Sequence, residues 1–396
     1  MTENIAEAQK PAKPPIWNDP VYRALFFQAV VLGGVVALGG FLINNTLDNL
    51  ARQGIASGFG FLNTTAGFSI LMSLIDYTEA DTYARTFFVG LFNTLLVAFI
   101  GIIFATVLGF LVGVARLSSN WLLSQMAMVY IETFRNIPLL LQLFFWYFGV
   151  LRNLPAPRGS ATMFDSFFLN NRGLYSPKPV MEEGFSLIVW AFVAAVVIIF
   201  FMARWARKRQ EATGQIFHTV YASIGLLIAL PLIAATVAGF PMSWSYPELK
   251  GFNFKGGIVV IPELMSLALA LSIYTASFIA EIVRAGIMAV SHGQTEAAYA
   301  LGLRPGPTLR LVIIPQALRV IIPPLTSQYL NLTKNSSLAA AIAYPDLVLI
   351  FGGIVLNQTG QAIEVLSITM AVYLVISLLI SAFMNWYNSK MALVER

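Results

Sequence analysis

The chain contains no cysteine, which excludes disulfides, thiolate metal sites and cysteine nucleophiles together. Charge is scarce as well: Asp, Glu, Lys and Arg make up 11% of the residues, against about a quarter in a typical water-soluble domain. Three catalytic patterns are missing: the Gly-Lys-Ser/Thr phosphate loop, His-Glu-x-x-His and Gly-x-Ser-x-Gly. ATP hydrolysis and membrane proteolysis therefore have no place in this chain, and no catalytic residue is assigned. The two histidines, His218 and His292, lie far apart at expected membrane edges and leave no metal site.

What the chain has instead is apolar surface, with 58% hydrophobic residues and a mean hydropathy of +0.75. Such a composition reads as an all-α polytopic membrane protein of about eight transmembrane helices. The net charge of +5 then bears on orientation and on affinity for the membrane lipid surface. No separate basic domain offers nucleic acid a footprint.

Taken in order, residues 1–20 are polar and proline-bearing and read as a cytoplasmic tail. Residues 21–85 hold a first span at 24–43, too long for a signal-peptide core, and an external segment whose Phe59, Phe61, Phe68 and Leu71 suggest the bilayer surface. Residues 86–150 hold spans at 86–115 and 131–150, the latter interrupted by Pro138. Residues 151–261 comprise an external loop and a hairpin of spans at 185–203 and 217–239, joined through the basic run 204–209. Residues 262–390 carry spans at 262–284, 317–334 and 363–387, a short or re-entrant element at 339–357, and a polar loop at 286–316. Residues 391–396 form a closing tail.

Lys and Arg set the orientation. Fourteen of the 24 fall on the side that receives 204–209 and nine on the other, with Arg135 unassigned at an edge. The bias is strongest where loops are short, so both termini are expected in the cytoplasm. Polar residues inside spans are expensive and mark either a path or interhelical bonding. Tyr274, Ser277, Glu281 and Arg284 share one helical face by their spacing. Glu132, Arg135 and Gln142 form a second stripe, and Gln328, Asn331 and Asn335 a third with Lys334 beside it. Such stripes suit a zwitterion, whose ammonium needs acceptors and whose carboxylate needs donors.

The loop at 291–315, SHGQTEAAYALGLRPGPTLRLVIIP, has its own design. Ser291 stands as an N-cap with Gln294 three residues on, the alanines favour helix, and Gly302 can stop it in a left-handed cap. That predicts a short exposed helix whose Ala298 and Leu301, with Ala297, form an adhesive face. Glu296-Ala297-Ala298, then Gly302, then Val312-Ile313-Ile314-Pro315 resembles the EAA signature of membrane subunits of binding-protein-dependent ABC importers, with Val312 and Ile314 as conservative departures. The segments 130–146 and 330–338 are similar to those of permeases in the polar amino-acid branch. The long insert makes the chain resemble general L-amino acid permeases most.

The resemblance implies a type I permease-like core with added helices, in the inner membrane of a bacterium. It implies that Glu296, Ala297, Ala298, Leu301, Gly302 and Pro315 belong to a coupling loop that docks on a separate ATPase. The substrate-path candidates are Glu132, Arg135, Gln142, Tyr274, Ser277, Asn331, Lys334 and Asn335. No cofactor is expected in the chain itself, ATP being bound by the partner. The implied partners are two copies of an ATP-binding subunit, a related second permease and an extracytoplasmic amino-acid-binding protein. The alternative function is an ion-coupled secondary carrier, which would show paired halves with broken helices.

Overall fold

The computed structural model describes Trp17, residues 19–52, Gly54 and residues 57–391. The tails read at 1–20 and 391–396 lie almost wholly outside the described residues. Among the described residues, seven helices are long and apolar enough to cross a membrane, and a bent pair supplies an eighth crossing if counted as one.

The packed centre is the pair α2 (Tyr83–Arg116) and α7 (Pro262–Met288). Pro262 opens α7 at a position where its missing N–H costs nothing. Most of the apolar stretch of α7 is buried inside the protein, at 61%, with Ala270, Ala276 and Ala280 fully enclosed. Between helices in lipid, such small residues let backbones approach and gain dispersion contacts. A Cβ on Gly113 of α2 would stand 2.7 Å from the Ala280 carbonyl and 2.8 Å from Val283 Cβ. One on Gly109 would stand 2.6 Å from Ile279 Cβ.

The third expected span departs from a straight crossing. Helix α3 (Trp121–Asn136) starts at Asn120, whose side chain accepts from the Leu123 N–H at 3.2 Å. It stops at Ile137, extended as residues before proline are. After Pro138 the chain resumes as α4 (Leu139–Phe144) and continues through a wide turn to Asn153, bent by 104° from α3. The expectation of one span over 131–150 with a local adjustment is thereby corrected: Pro138 divides the segment into two directions.

The inserted hairpin is α5 (Phe185–Thr213) and α6 (Thr219–Val237), closed on itself by Ala195, Ala234 and Ala235. The basic run 204–209 forms the last turns of α5 instead of a connecting loop, because at 29 residues the helix outlasts the hydrocarbon. Helix α1 (Pro20–Arg52) has none of its apolar stretch buried. The loops read as external from the charge pattern fold into short strands around the all-α membrane part. They are β1 (Ala161–Met163), β2 (Phe167–Asn170), β3 (Gly173–Ser176), β4 (Lys178–Met181), β5 (Met242–Ser245), β6 (Glu248–Lys250), β7 (Asn253–Lys255) and β8 (Ile258–Val260). All pairings are antiparallel: β1-β2-β3-β8 in one sheet, with the ladders β4-β5 and β6-β7. Phe168, Phe254 and Tyr175 stack at 4.5 and 5.0 Å between centroids and give the lobe its core.

Residues 57–82 do not simply lie on the bilayer. Phe59 and Leu71 are exposed, but Phe61 is buried and Phe68 half-buried, in a cluster with Val89, Phe351 and Val355. Burial, then the carboxylates of Asp81 and Glu79, raise the Tyr77 phenol above its ordinary range. It therefore keeps its proton and donates to the Phe68 carbonyl.

Beyond α7 come a short helix α8 (His292–Ala300), then α9 (Pro305–Thr308) and α10 (Ile314–Asn335). A tight turn over Ser336–Ile342 follows, then Ala343 in left-handed backbone, then a wide helical turn over Val348–Val355. The chain ends in α11 (Leu356–Thr359) and α12 (Ala362–Met391). The irregular residues 343–347 are tied to α2: Asn93 donates to the Pro345 and Met72 carbonyls at 2.8 and 2.9 Å, and the Leu347 N–H donates to Thr94 Oγ1 at 3.0 Å.

If close approach of α2 and α7 holds the centre, Gly113→Leu destabilises the purified full chain by about 1–3 kcal/mol or more. Gly34→Leu on α1, where a Cβ meets nothing within 4 Å, leaves stability unchanged. Melting in detergent reads both; equal stability of the two variants refutes the packing assignment.

Candidate functional site

Helix α8 hangs between α7 and α10 and is built to be rigid. Ser291 occupies the N-cap position with extended backbone. The capping box does not form: Ser291 makes no side-chain cap, and Gln294 Oε1 accepts from Gln316 Nε2 at 3.1 Å, tying α8 to α10. At the other end Gly302 adopts φ +77°. Its N–H donates to the Tyr299 carbonyl at 2.9 Å and the Leu303 N–H to the Ala298 carbonyl at 3.1 Å, the paired bonds of a Schellman stop.

The expected adhesive face is divided. Ala298 is 4% exposed and turned into the protein, whereas Leu301 is 82% exposed. Ala297, one turn before Leu301, is exposed with it. Glu296 lies at the rim, also exposed, and pairs with His292 Nδ1 at 3.0 Å. Pro315 sits in the first turn of α10, just after a wide helical turn over Leu309–Ile313. A proline inside a continuous helix removes a donor and crowds the carbonyl four residues back, and widening the preceding turn relieves both.

The substrate-path candidates fall into separate groups. Gln142 is 4% exposed, and its side-chain amide donates to the Phe134 and Ile137 carbonyls at 2.9 Å each. The Phe134 carbonyl would pair in a continuous helix with the N–H of Pro138, which does not exist. Gln142 therefore repairs the α3–α4 break. Ser277 is buried and donates to the Tyr274 carbonyl of its own helix. Tyr274 packs on Phe278 at 5.0 Å, and the Arg135 guanidinium stands 5.3 Å over the same Phe278 ring. Glu132 is exposed beside it on α3, and Glu281 and Arg284 form a two-bonded ion pair.

On the far side, Asn331 and Lys334 are exposed and Asn335 half-buried. Lys334 lines a cavity of about 490 Å³ between α10 and α12 with Ser337, Thr369 and Tyr373. Gln142 and Lys334 thus stand in separate groups, the first bonded across the α3–α4 break and the second on the cavity beside α12. Sequence reasoning passed over Asp346, 1% exposed, which accepts from the Leu349 N–H at 2.8 Å and faces the Tyr373 hydroxyl at 3.5 Å. A lone carboxylate beside Pro345 in an apolar run was its signal.

Residues 215–393, which contain α8 and both flanking helices, match the family of binding-protein-dependent transport system inner membrane components. The general L-amino acid transport system permease protein AapQ of Rhizobium johnstonii is 57% identical over 378 residues, covering 96% of this chain and 94% of the relative. The chain belongs to that family. The permease also shares 44% identity over 409 residues with the glutamate/glutamine/aspartate/asparagine transport system permease protein BztB of Rhodobacter capsulatus, covering 96% of each chain. The permease is thus a multi-pass inner-membrane transport component. The secondary-carrier alternative gains no support.

If Gln142 repairs the break at Pro138, Gln142→Leu leaves two part-buried carbonyls without their partner and costs about 1–3 kcal/mol of stability. Uptake per inserted molecule stays normal. Full stability with lost uptake returns Gln142 to the path.

Proposed function

We propose that this chain is the permease subunit of an importer driven by a separate ATP-binding protein, and that it carries L-amino acids of varied side chain. The reading rests most heavily on α8, an exposed helix with Leu301 outward, a left-handed stop at Gly302 and a tie to α10 through Gln316. A helix so held can pass the closing motion of an ATPase dimer to α7 and α10 without bending. The amino-acid cargo is supported by the names of the AapQ and BztB relatives, aligned over nearly the whole chain.

In this reading both termini and α8 face the cytoplasm, in keeping with Arg204, Arg207, Lys208 and Arg209 at the end of α5. Two ATP-binding subunits, a related second permease and an extracytoplasmic binding protein complete the assembly. Glu296, Ala297, Leu301 and Gly302 face the ATPase, while Ala298 and Pro315 set the helix in place. Lys334, with Asn331 and Asn335 beside it on α10, offers donors to a substrate carboxylate. Arg135, Glu132 and Tyr274 line the opposite flank.

A Cβ on Gly302 meets nothing within 4 Å in this chain, so the side chain of Gly302→Asp projects toward the partner's groove. The backbone strain is about 1 kcal/mol. Gly302→Asp therefore leaves the permease inserted and abundant but abolishes uptake and weakens capture of the ATPase, with Glu296→Ala milder. Pull-down of the ATPase beside amino-acid uptake in cells measures this. Normal capture and normal uptake by Gly302→Asp contradict the docking role.

A further inference from the structure

At the end opposite α8, the inserted external lobe and the start of α7 enclose a cavity of about 320 Å³. Three charged side chains line it, each from a different part of the chain. Arg152 comes from the tight turn after α4, Arg172 from the turn between β2 and β3, and Glu263 from the first turn of α7. Asn171, Tyr175 and Asn253 add polar wall, the Tyr175 hydroxyl donating to Asn253 Oδ1 at 3.0 Å. None of the substrate-path candidates read from the sequence lies here.

Glu263 makes the cavity more than a basic dent. It is 7% exposed, its Oε1 accepts from the Tyr147 hydroxyl at 2.8 Å, and its Oε2 is buried with no partner. The helix N-terminus favours the ionised carboxylate, yet a buried charged oxygen left unpaired is costly. Neither arginine relieves it: among the described residues no ion pair within 4.0 Å joins Glu263 to Arg152 or Arg172. The Arg152 guanidinium instead stands 5.8 Å over the ring of Tyr147, the residue whose hydroxyl holds Glu263. The fold thus keeps one acceptor and two exposed guanidinium donors apart around a space of small-molecule size.

We propose that this cavity is an outer binding site for the zwitterionic head of an α-amino acid. Glu263 Oε2 takes the ammonium, Arg152 and Arg172 take the carboxylate, and the side chain is left in the open part of the cavity. A simple anion meets Glu263 as a repulsive charge, and a simple amine leaves both guanidinium groups unpaired. Only a ligand that carries an ammonium and a carboxylate on one carbon satisfies the three groups. Such a site holds cargo on the outer side, before the helices that cross the membrane. It rests on the amino-acid reading above for the identity of the cargo.

The test uses the complete transporter, purified with its partner permease and ATPase in lipid nanodiscs without the soluble binding protein. Binding of L-alanine and L-glutamine is compared with binding of their deaminated analogues. The wild type binds each amino acid more tightly than its analogue. Glu263→Gln weakens the amino acids about tenfold or more while binding of the analogues rises as the repulsion is removed, so a folding defect cannot mimic it. Arg152→Gln with Arg172→Gln weakens both kinds of ligand, and Arg172→Lys restores part of the loss in an Arg172 single-variant series. Equal binding of amino acid and analogue, or no binding while cells take up amino acids normally, overturns the site alone. Absence of amino-acid uptake by the wild type overturns the cargo reading and the site with it.

Discussion

Lipid offers no hydrogen bonds, so every backbone N–H and carbonyl of this chain within the membrane must be paired by the protein itself. The places where the helices break show how that constraint shapes the molecule. At Pro138 the side chain of Gln142 replaces the donors that α3 loses. At residues 343–347 Asn93 and Thr94 of α2 serve the irregular backbone, and the Tyr344 hydroxyl returns a bond to the Asn93 carbonyl at 3.1 Å. Each repair uses a polar residue that, seen in a hydropathy profile, looks like a candidate for transport. Polarity in a span is therefore first a debt of the backbone, and only what remains unpaired is available to a substrate.

The same accounting separates the rigid from the accessory parts. Helices α2, α7 and α10 share one apolar core with the end of α3–α4 and the irregular element after α10. Helix α8 lies between two of these in the chain and is tied to α10 through Gln316. Helix α1 and the α5–α6 hairpin lie outside that core, and the strands of the external lobe close over the start of α7 through β8. The permease thus has one packed body with a short exposed helix at one end and a charged, partly unpaired cavity at the other.

Much of this was legible from residues alone. The long apolar runs gave nearly every helix, because an apolar stretch of membrane length has few other uses. The stop at Gly302 was legible because only glycine enters left-handed backbone at little cost. The short apolar element after α10 was visible as an apolar run too short to cross. The inward turn of Ala298 was not, since alanine fits either side of a helix and only the contact with the body decides. The bend at Pro138 was hidden by uncertainty over whether a proline kinks a helix or ends it. The grouping of Arg152, Arg172 and Glu263 was beyond reach because β3 pairs with β8, far away in sequence, and strands of three or four residues leave little periodic trace.

The central claim is that α8 carries the contact between permease and ATPase. The absence of native cysteine allows a direct measurement: a single cysteine at Leu301, the outermost apolar residue of the loop at 82% exposure, joined to the co-expressed ATPase by a short bifunctional reagent in membranes. The account predicts a covalent permease–ATPase adduct from Leu301→Cys and none from Met163→Cys in the external strand β1. An adduct from position 163 with none from position 301 would contradict it.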